Sequence, residues 1–166
     1  MSGMTDPMDS LNLLQQALNE NLVSFDPCEI HPEVAVHCDT PNNIARFTYA
    51  IFDGGVAQSI ALFVMTEPVE GVPCFQMGWA TIEVARENGL ATSIVSKGLA
   101  ELKSGMKRNG IDKFFIGAVI AESNIQSIKL ADRLFTEKAK AKAKAKAKAC
   151  TDSLSGVSSV QFLEVA

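Results

Sequence analysis

The sequence lacks the features that mark a membrane-spanning or secreted protein. Its longest apolar stretch, Val56 to Met65, is interrupted by Gln58 and Ser59 and is too short to cross a bilayer as a helix. Residues Met1 to Ser10 are acidic and have neither the basic start nor the apolar run of a secretory signal. We therefore expect an intracellular, cytoplasmic protein without a membrane partner.

Closely spaced cysteine pairs are also missing. Without a Cys-x-x-Cys pair or a secretory signal, the cysteines are expected to be free thiols. His31 and His37 lie near two of them in the chain, which leaves zinc binding as an alternative, but this spacing matches no standard zinc site. Ordinary loop residues are the favoured interpretation of this group, and no metal is predicted. The four cysteines are Cys28, Cys38, Cys74 and Cys150.

Basic residues are scarce outside one segment. The run Lys138 to Ala149 alternates lysine with alanine and holds six of the 15 basic residues. The rest of the chain has nine basic against 19 acidic residues, a net charge of −10, which argues against nucleic acid as a partner. We expect the run to be a mobile or helical spacer, and contact with an acidic partner through Lys138 to Lys148 is the alternative.

The 166 residues, of which 47% are apolar and 20% charged, are enough for one domain with a buried core. A flexible amino terminus (1–10) is expected to precede the folded body (11–135). The lysine-alanine segment (136–150) then separates this body from a closing strand of the same domain (151–166).

Periodicity and turn residues predict an α/β fold. Leucines at three-to-four spacing indicate a first helix that Asp9 or Ser10 caps and Pro27 ends. Asp53-Gly54-Gly55 predicts a hairpin. The other predicted segments are strand Ile44–Phe52, strand Val56–Met65, loop Glu67–Pro73, strand Cys74–Glu83, helix Thr92–Lys107 stopped by Asn109-Gly110, strand Phe114–Ala121, a helix capped by Ser123-Asn124, and strand Val157–Val165. This order predicts a mixed central sheet flanked by helices.

The loop before the second long helix, Arg86 to Ala91, has the composition of a phosphate-binding turn. Gly89 lets the backbone approach a ligand closely. The first amides of the following helix point outward at the positive end of its dipole, which suits a pyrophosphate. A tight strand-to-helix turn that happens to use glycine is the alternative.

This loop resembles the acetyl-coenzyme A signature of the GNAT acetyltransferase superfamily, which is Arg or Gln, two residues, Gly, one residue, then Gly or Ala. Arg86, Gly89 and Ala91 fill the three defined places. A second stretch, Asn124 to Phe135, resembles the Asn-x-x-Ser-Ile-x-x-Ala segment of the last GNAT helix in the ribosomal-protein acetyltransferases. The resemblance, best over Cys74 to Phe135, implies a single-domain GNAT-like fold and acetyl-CoA as cofactor.

The resemblance also implies which residues touch the cofactor. Backbone groups of Ala80 and Thr81 would meet the pantetheine arm, and Asn124 with Ser127 would lie beside the thioester. The pyrophosphate would be held by the loop and the first helical turn, which comprise Arg86, Glu87, Asn88, Gly89, Leu90, Ala91 and Thr92.

The catalytic groups are less clearly marked. Many GNAT enzymes use a tyrosine on the last helix to protonate the departing thiolate, and Ala131 stands at that place here. The single tyrosine, Tyr49, is predicted to be a packed aromatic. Glu87 puts a carboxylate next to the expected pyrophosphate, which weakens binding unless the side chain turns outward. Glu83 is a candidate base, although a solvated carboxylate at a strand end is the favoured interpretation.

Two functions are therefore expected. The first is an acetyl-CoA-dependent N-acetyltransferase that moves an acetyl group to the amine of a small molecule or protein. The alternative keeps the fold without the reaction: a degenerate GNAT-like domain that serves as a structural or interaction component, for example inside a phage virion, with a protein partner or as a homo-oligomer.

Overall fold

The computed structural model describes residues 6–121, 125–134 and 159–165. Its helices are α1 (Pro7–Asn19), α2 (Leu90–Arg108) and α3 (Ile125–Leu134), and 3-10 turns occupy Pro41–Asn43 and Glu83–Ala85. Its strands are β1 (Asp26–Pro27), β2 (Val34–Asp39), β3 (Arg46–Asp53), β4 (Val56–Val69), β5 (Val72–Thr81), β6 (Phe115–Ala121) and β7 (Ser159–Val165). None of the helices that the structure describes is long and apolar enough to cross a membrane.

Two units can be distinguished in these residues, and the larger unit, residues 6–65 and 78–112, is built on an antiparallel meander. Strands β1, β2, β3 and β4 are neighbours in that order, and each pairs antiparallel with the next. The β3–β4 hairpin turns at Gly54 and Gly55, whose φ angles are +56° and +81°. Glycine adopts such angles at little energetic cost, which is why this turn forms here. The predicted hairpin is therefore confirmed.

Helices cover both faces of the meander. Successive residues of a strand point to opposite faces. Ala50 of β3 accordingly lies in a core cluster with Leu11 of α1, while Tyr49 packs against α2. Gly98 of α2 is so close to the Tyr49 ring that a Cβ there would lie 3.3 Å from the ring carbons. Because both faces are covered, β3 and β4 are apolar on both sides and do not alternate.

Helix α1 starts before the position that the sequence pattern predicts. Its N-cap is Asp6, not Asp9 or Ser10, and the Asp6 carboxylate accepts a backbone hydrogen bond from the first turn at 2.8 Å. Pro7 follows as the first helical residue, where a missing N–H leaves no bond unmade. The residues from Pro7 to Ser10 therefore belong to the helix.

The same helix ends at Asn19, well before Pro27. Asn21 adopts the left-handed conformation with φ of +57°, and Leu22 N–H donates to the Ala17 carbonyl at 2.8 Å. These two features form a Schellman motif, which stops a helix without proline. Leu22 is the last of the leucines whose three-to-four spacing predicted this helix, and it lies beyond the helix end and is 70% exposed.

The segment predicted as a loop, Glu67 to Pro73, is instead a second hairpin. Strands β4 and β5 extend into it and leave Glu70 and Gly71 as its turn. Their φ angles, +51° and +77°, have the signs that a two-residue type I′ turn requires. The sequence concealed this turn because glutamate seldom occupies its first central position and because two prolines flank it.

The smaller unit comprises residues 66–77, 113–121, 125–134 and 159–165. Strand β6 pairs parallel with β5, where Cys74 lies opposite Phe115 and Gln76 opposite Gly117. It pairs antiparallel with β7, and α3 packs against it. Parallel and antiparallel pairs within one sheet, with helices beside it, confirm the predicted α/β class and mixed sheet.

Two predictions fall outside the described residues. One is the helix cap at Ser123 and Asn124, with the thioester role of Asn124. The other is the lysine-alanine run Lys138 to Ala149. The predicted domain boundaries at 135, 136 and 150 also remain predictions.

Candidate functional site

The predicted cofactor loop connects β5 to α2 within the larger unit. After β5 the chain makes the 3-10 turn Glu83–Ala85 and then runs through Arg86, Glu87 and Asn88 to the helix. Arg86 Nε donates to the Thr81 carbonyl at 3.1 Å, and Asn88 Nδ2 donates to the carbonyl that ends the 3-10 turn at 3.4 Å. The first residue of the signature therefore ties the loop back to the end of β5.

Helix α2 begins with amide groups that no side chain caps among the described residues. Gly89 is its N-cap, with φ of +72°, and the Gly89 carbonyl accepts the first helical bond from Ser93 N at 3.0 Å. The amides of Leu90, Ala91 and Thr92 precede that bond and point out of the helix, where its dipole is positive. A Cβ at Gly89 would meet no described atom within 4 Å. The helix start is thus open and suited to a phosphate group.

Glu87 is the residue of this loop whose negative charge would repel a bound anion. Its φ is +67°, a left-handed conformation that is uncommon for a residue other than glycine. Its side chain is exposed, so solvent and salt screen the carboxylate and reduce its repulsion of a bound phosphate. Both the backbone strain and the charge at this position are features that glycine would remove.

A buried hydroxyl on β4 supports the end of β5. Ser59 is fully buried, and its Oγ donates to the Ala80 carbonyl at 3.0 Å and lies 2.8 Å from Thr81 Oγ1. Ile82 N also donates to the Gln58 carbonyl at 3.0 Å. Backbone groups alternate sides along a strand, so those of Ala80 face β4 and those of Thr81 face the opposite edge. Of the two residues predicted to meet the pantetheine arm, Thr81 therefore has the suitable backbone direction.

The sequence did not identify Ser59 as a candidate site residue, because in the sequence it is only a polar interruption of the apolar stretch Val56 to Met65. Buried polar groups in folded proteins almost always have hydrogen-bond partners. A lone serine between apolar neighbours in a strand was thus a signal that a partner lies on an adjacent strand, but the partner itself could not be named.

The candidate acids and bases have different surroundings. Glu83 is exposed, in keeping with a solvated carboxylate, and lies in the 3-10 turn after the strand. Ala131 in α3 is fully buried, so a tyrosine placed there would overpack the interior. Tyr49 is 4% exposed, its ring contacts Phe63 edge-on, and burial raises the pKa of its hydroxyl. Tyr49 is therefore the packed aromatic that was predicted. Ser127 lies half-buried in α3 of the smaller unit.

The cysteines and histidines near the amino end do not all lie in loops. His37 and Cys38 belong to β2, which corrects that interpretation, and His37 Nδ1 donates to a backbone carbonyl at 3.0 Å. His31 Nδ1 lies 3.7 Å from a Glu101 carboxylate oxygen. Burial, with a smaller effect of Glu101, raises the pKa of the Cys28 thiol to about 11. Within the described residues no three such side chains are grouped to hold a metal ion. The described cysteines, Cys28, Cys38 and Cys74, are free thiols as predicted.

The protein resembles known proteins in its three-dimensional structure but not detectably in its sequence. No protein-family model matches the sequence, and no curated protein matches it. A solved GNAT-family acetyltransferase from Streptococcus pneumoniae matches 99% of this chain and 98% of its own, with a TM-score of 0.53 and 10% identity.

Two further solved structures resemble the chain over a smaller part. The Salmonella typhimurium acetyltransferase that modifies the N-terminal serine of ribosomal protein L7/L12 has a TM-score of 0.48 and 17% identity. The match covers 73% of this chain and 64% of that enzyme, so the chain spans less than two thirds of its length. A ribosomal L7/L12 alpha-N-protein acetyltransferase in complex with coenzyme A has a TM-score of 0.47 and 17% identity, with 72% and 62% covered.

The likeness to the Streptococcus pneumoniae protein extends over nearly the whole of both chains. The chain therefore has the fold of the GNAT acetyltransferases, which confirms the predicted resemblance in fold. Because one fold can carry different functions, the activity has to be argued from the site.

Proposed function

We propose that the chain is a cytoplasmic N-acetyltransferase that uses acetyl-CoA and passes the acetyl group to the amine of a small molecule or protein. The observation that carries the proposal is the open start of α2, where three outward amides follow a left-handed Gly89. This is the arrangement that binds a pyrophosphate, and it lies at the place where the signature-like residues Arg86, Gly89 and Ala91 predict one.

The chain contributes binding and orientation to this reaction. Bound acetyl-CoA supplies an acetyl group activated as a thioester. The amides of Leu90, Ala91 and Thr92 hold the pyrophosphate, and Arg86 fixes the loop through its bond to the Thr81 carbonyl. Such anchoring fixes the donor relative to an attacking amine and lowers the entropic part of the barrier. Proton release from the amine goes to water or, by relay, to the exposed Glu83 carboxylate.

A second function, the fold without the reaction, is favoured by the residue at position 131. Where the resemblance implies a proton donor for the leaving thiolate, the chain has Ala131, which has no proton to donate and is fully buried. Under this alternative the domain keeps the GNAT-like fold and acts as a structural or interaction component. The two functions disagree on product formation, and only the enzyme requires acetyl-CoA to bind.

Calorimetric titration with acetyl-CoA is the experiment that tests the proposal. The parent protein should bind, and Gly89→Asn should lower the affinity at least tenfold, because asparagine tolerates the left-handed backbone but fills the open space. Gly55→Asn is the matched control, since it makes the same change at a positive-φ turn of the β3–β4 hairpin. A parent protein that binds no acetyl-CoA would refute the enzyme and favour the structural or interaction component. Equal affinity in Gly89→Asn and the parent would refute the assigned loop.

Mass spectrometry of an amine panel then separates the two functions. The panel should include polyamines and peptides with free amino termini, incubated with acetyl-CoA and the parent protein. Acetylated product that disappears with Gly89→Asn, and not with Gly55→Asn, supports the enzyme. The absence of product across the panel supports the structural or interaction component.

A further inference from the structure

The hydroxyl groups of Ser59 and Thr81 form an ordered pair at the edge of the proposed site. Ser59 is fully buried, and both of its side-chain hydrogen bonds go to the last two residues of β5. Thr81 is half-buried, and its carbonyl accepts from Arg86 of the cofactor loop. The pair thus joins β4, the end of β5 and the loop through consecutive hydrogen bonds.

Counting protons fixes the direction of these bonds. The Ala80 carbonyl can only accept, so the single proton of the Ser59 hydroxyl is directed to it at 3.0 Å. The Ser59 oxygen then has lone pairs but no further proton for Thr81. The 2.8 Å contact must therefore use the proton of the Thr81 hydroxyl. Thr81 Oγ1 is left with lone pairs only.

We infer that Ser59 is a positioning residue which makes Thr81 Oγ1 an obligatory acceptor for an N–H group of the bound ligand. This inference rests on the proposed function. An N–H donor of this kind occurs in both reactants, as the amides of the pantetheine arm of acetyl-CoA and as the acceptor amine. A water molecule can donate or accept a hydrogen bond, so it binds the Thr81 hydroxyl whichever way the proton points. A ligand N–H group can only donate, so it binds more tightly to an oxygen whose own proton is already directed to Ser59.

A purely structural role for Ser59 predicts a different outcome. A buried hydroxyl that served the fold alone would affect stability when it is removed, and ligand affinity would follow stability. Under the inference, the effect on affinity passes through the Thr81 oxygen. Removing that oxygen should then make the Ser59 hydroxyl irrelevant to ligand binding, even though it continues to bond the Ala80 carbonyl.

The test uses Thr81→Val, Thr81→Ser, Ser59→Ala and the double variant Ser59→Ala/Thr81→Val, each first checked for folding by its thermal unfolding. Loss of the hydrogen bond to the ligand predicts an affinity for acetyl-CoA about fivefold weaker in Thr81→Val. Ser59→Ala keeps the Thr81 oxygen but frees its proton to turn elsewhere, so it should bind more weakly than the parent and no more weakly than Thr81→Val. Thr81→Ser keeps the hydroxyl and should bind like the parent. The double variant should be no weaker than Thr81→Val alone.

Two further measurements identify the source of the N–H group. 3′-Phosphoadenosine 5′-diphosphate is coenzyme A without the pantetheine arm and keeps the pyrophosphate, and its affinity should be unchanged in Thr81→Val if the arm donates. If the amine donates instead, acetyl-CoA affinity should stay constant while the KM for the amine rises about fivefold.

The inference is overturned if Thr81→Val changes neither the affinity for acetyl-CoA nor the KM for the amine while the parent binds acetyl-CoA. In that case the proposed function is unaffected. It is also overturned if Thr81→Ser is as weak as Thr81→Val, or if the losses in Ser59→Ala and Thr81→Val add in the double variant. A parent protein that binds no acetyl-CoA contradicts the proposed function itself.

Discussion

The contact between Gly98 and Tyr49 gives a quantitative prediction about how α2 is seated on the sheet. A Cβ at Gly98 would lie 3.3 Å from two atoms of the Tyr49 ring and 3.4 Å from Phe63. Both rings are buried and packed edge-on with their centroids 5.8 Å apart, so neither has an open direction in which to move. We therefore predict that Gly98→Ala destabilises the protein.

The size of the effect comes from two opposing contributions. Alanine in a helix interior is more favourable than glycine by about 1 kcal/mol. An added methyl in a tightly packed core costs about 1 to 3 kcal/mol. The net change for Gly98→Ala is a loss of about 0 to 2 kcal/mol in the free energy of unfolding.

Gly105 is a matched control on the same helix. A Cβ there would meet one described atom, the end of the Arg108 side chain, at 3.7 Å, which is an ordinary contact. Gly105→Ala should therefore gain up to about 1 kcal/mol from helix propensity alone. The difference between the two variants isolates the packing cost at Gly98.

Urea unfolding followed by the fluorescence of the single tryptophan, Trp79, measures both variants. Gly98→Ala should have a lower midpoint than the parent, and Gly105→Ala an equal or higher one, with similar slopes. Equal gains in the two variants would refute the close seating of α2 on the Tyr49 ring.

Four other predictions concern charge, protonation, thiol reactivity and the lysine-alanine run. Glu87→Gly should bind acetyl-CoA more tightly than the parent at low salt, and Glu87→Gln should share the gain from charge but not any gain in stability from relief of the positive φ. The pKa of the Cys28 thiol rises from 9.0 to about 11 on folding, so the folded state keeps a proton that the unfolded state loses; stability should fall between pH 9 and 11, and less so in Cys28→Ala. At pH 8 a thiol reagent should label the exposed Cys38 faster than the buried Cys28. Deletion of Lys138 to Ala149 should leave the thermal midpoint nearly unchanged and weaken salt-sensitive binding to an acidic partner, and a large drop in the midpoint would contradict the spacer prediction.

Local backbone chemistry was predictable because neighbouring residues alone determine it. Gly54 and Gly55 set the first hairpin, and Asn109 with Gly110 stops α2 where predicted, since these residues adopt conformations that others resist. The open start of α2 at Gly89 belongs to the same class. The sequence alone therefore located the candidate ligand loop and the order of most helices and strands.

Weaker local signals were misread for a physical reason. Glu70 takes a positive φ that its own preferences disfavour, and the pairing of the long strands β4 and β5 on either side compensates for it. The Schellman stop at Asn21 likewise competes with a leucine pattern that continues past it. The turn at Glu70 thus depends on strand pairing outside it, whereas the stop at Asn21 depends on a local hydrogen bond from Leu22 to Ala17 that outweighs the leucine pattern.

Tertiary structure alone decided which polar groups are paired inside the protein. The Glu101 carboxylate is buried and accepts a hydrogen bond from Ile30 N at 2.7 Å. Ile30 lies in a loop distant in sequence, so the residues near Glu101 on its helix do not predict this bond. Ser59 meets Ala80 and Thr81 because the register of two strands sets them side by side. Burial of Ala131 depends in the same way on what α3 packs against. Hydrophobic and turn patterns reveal where a chain bends and which face is apolar, but a hydrogen bond between distant residues exists only once the strand register and helix seating are fixed.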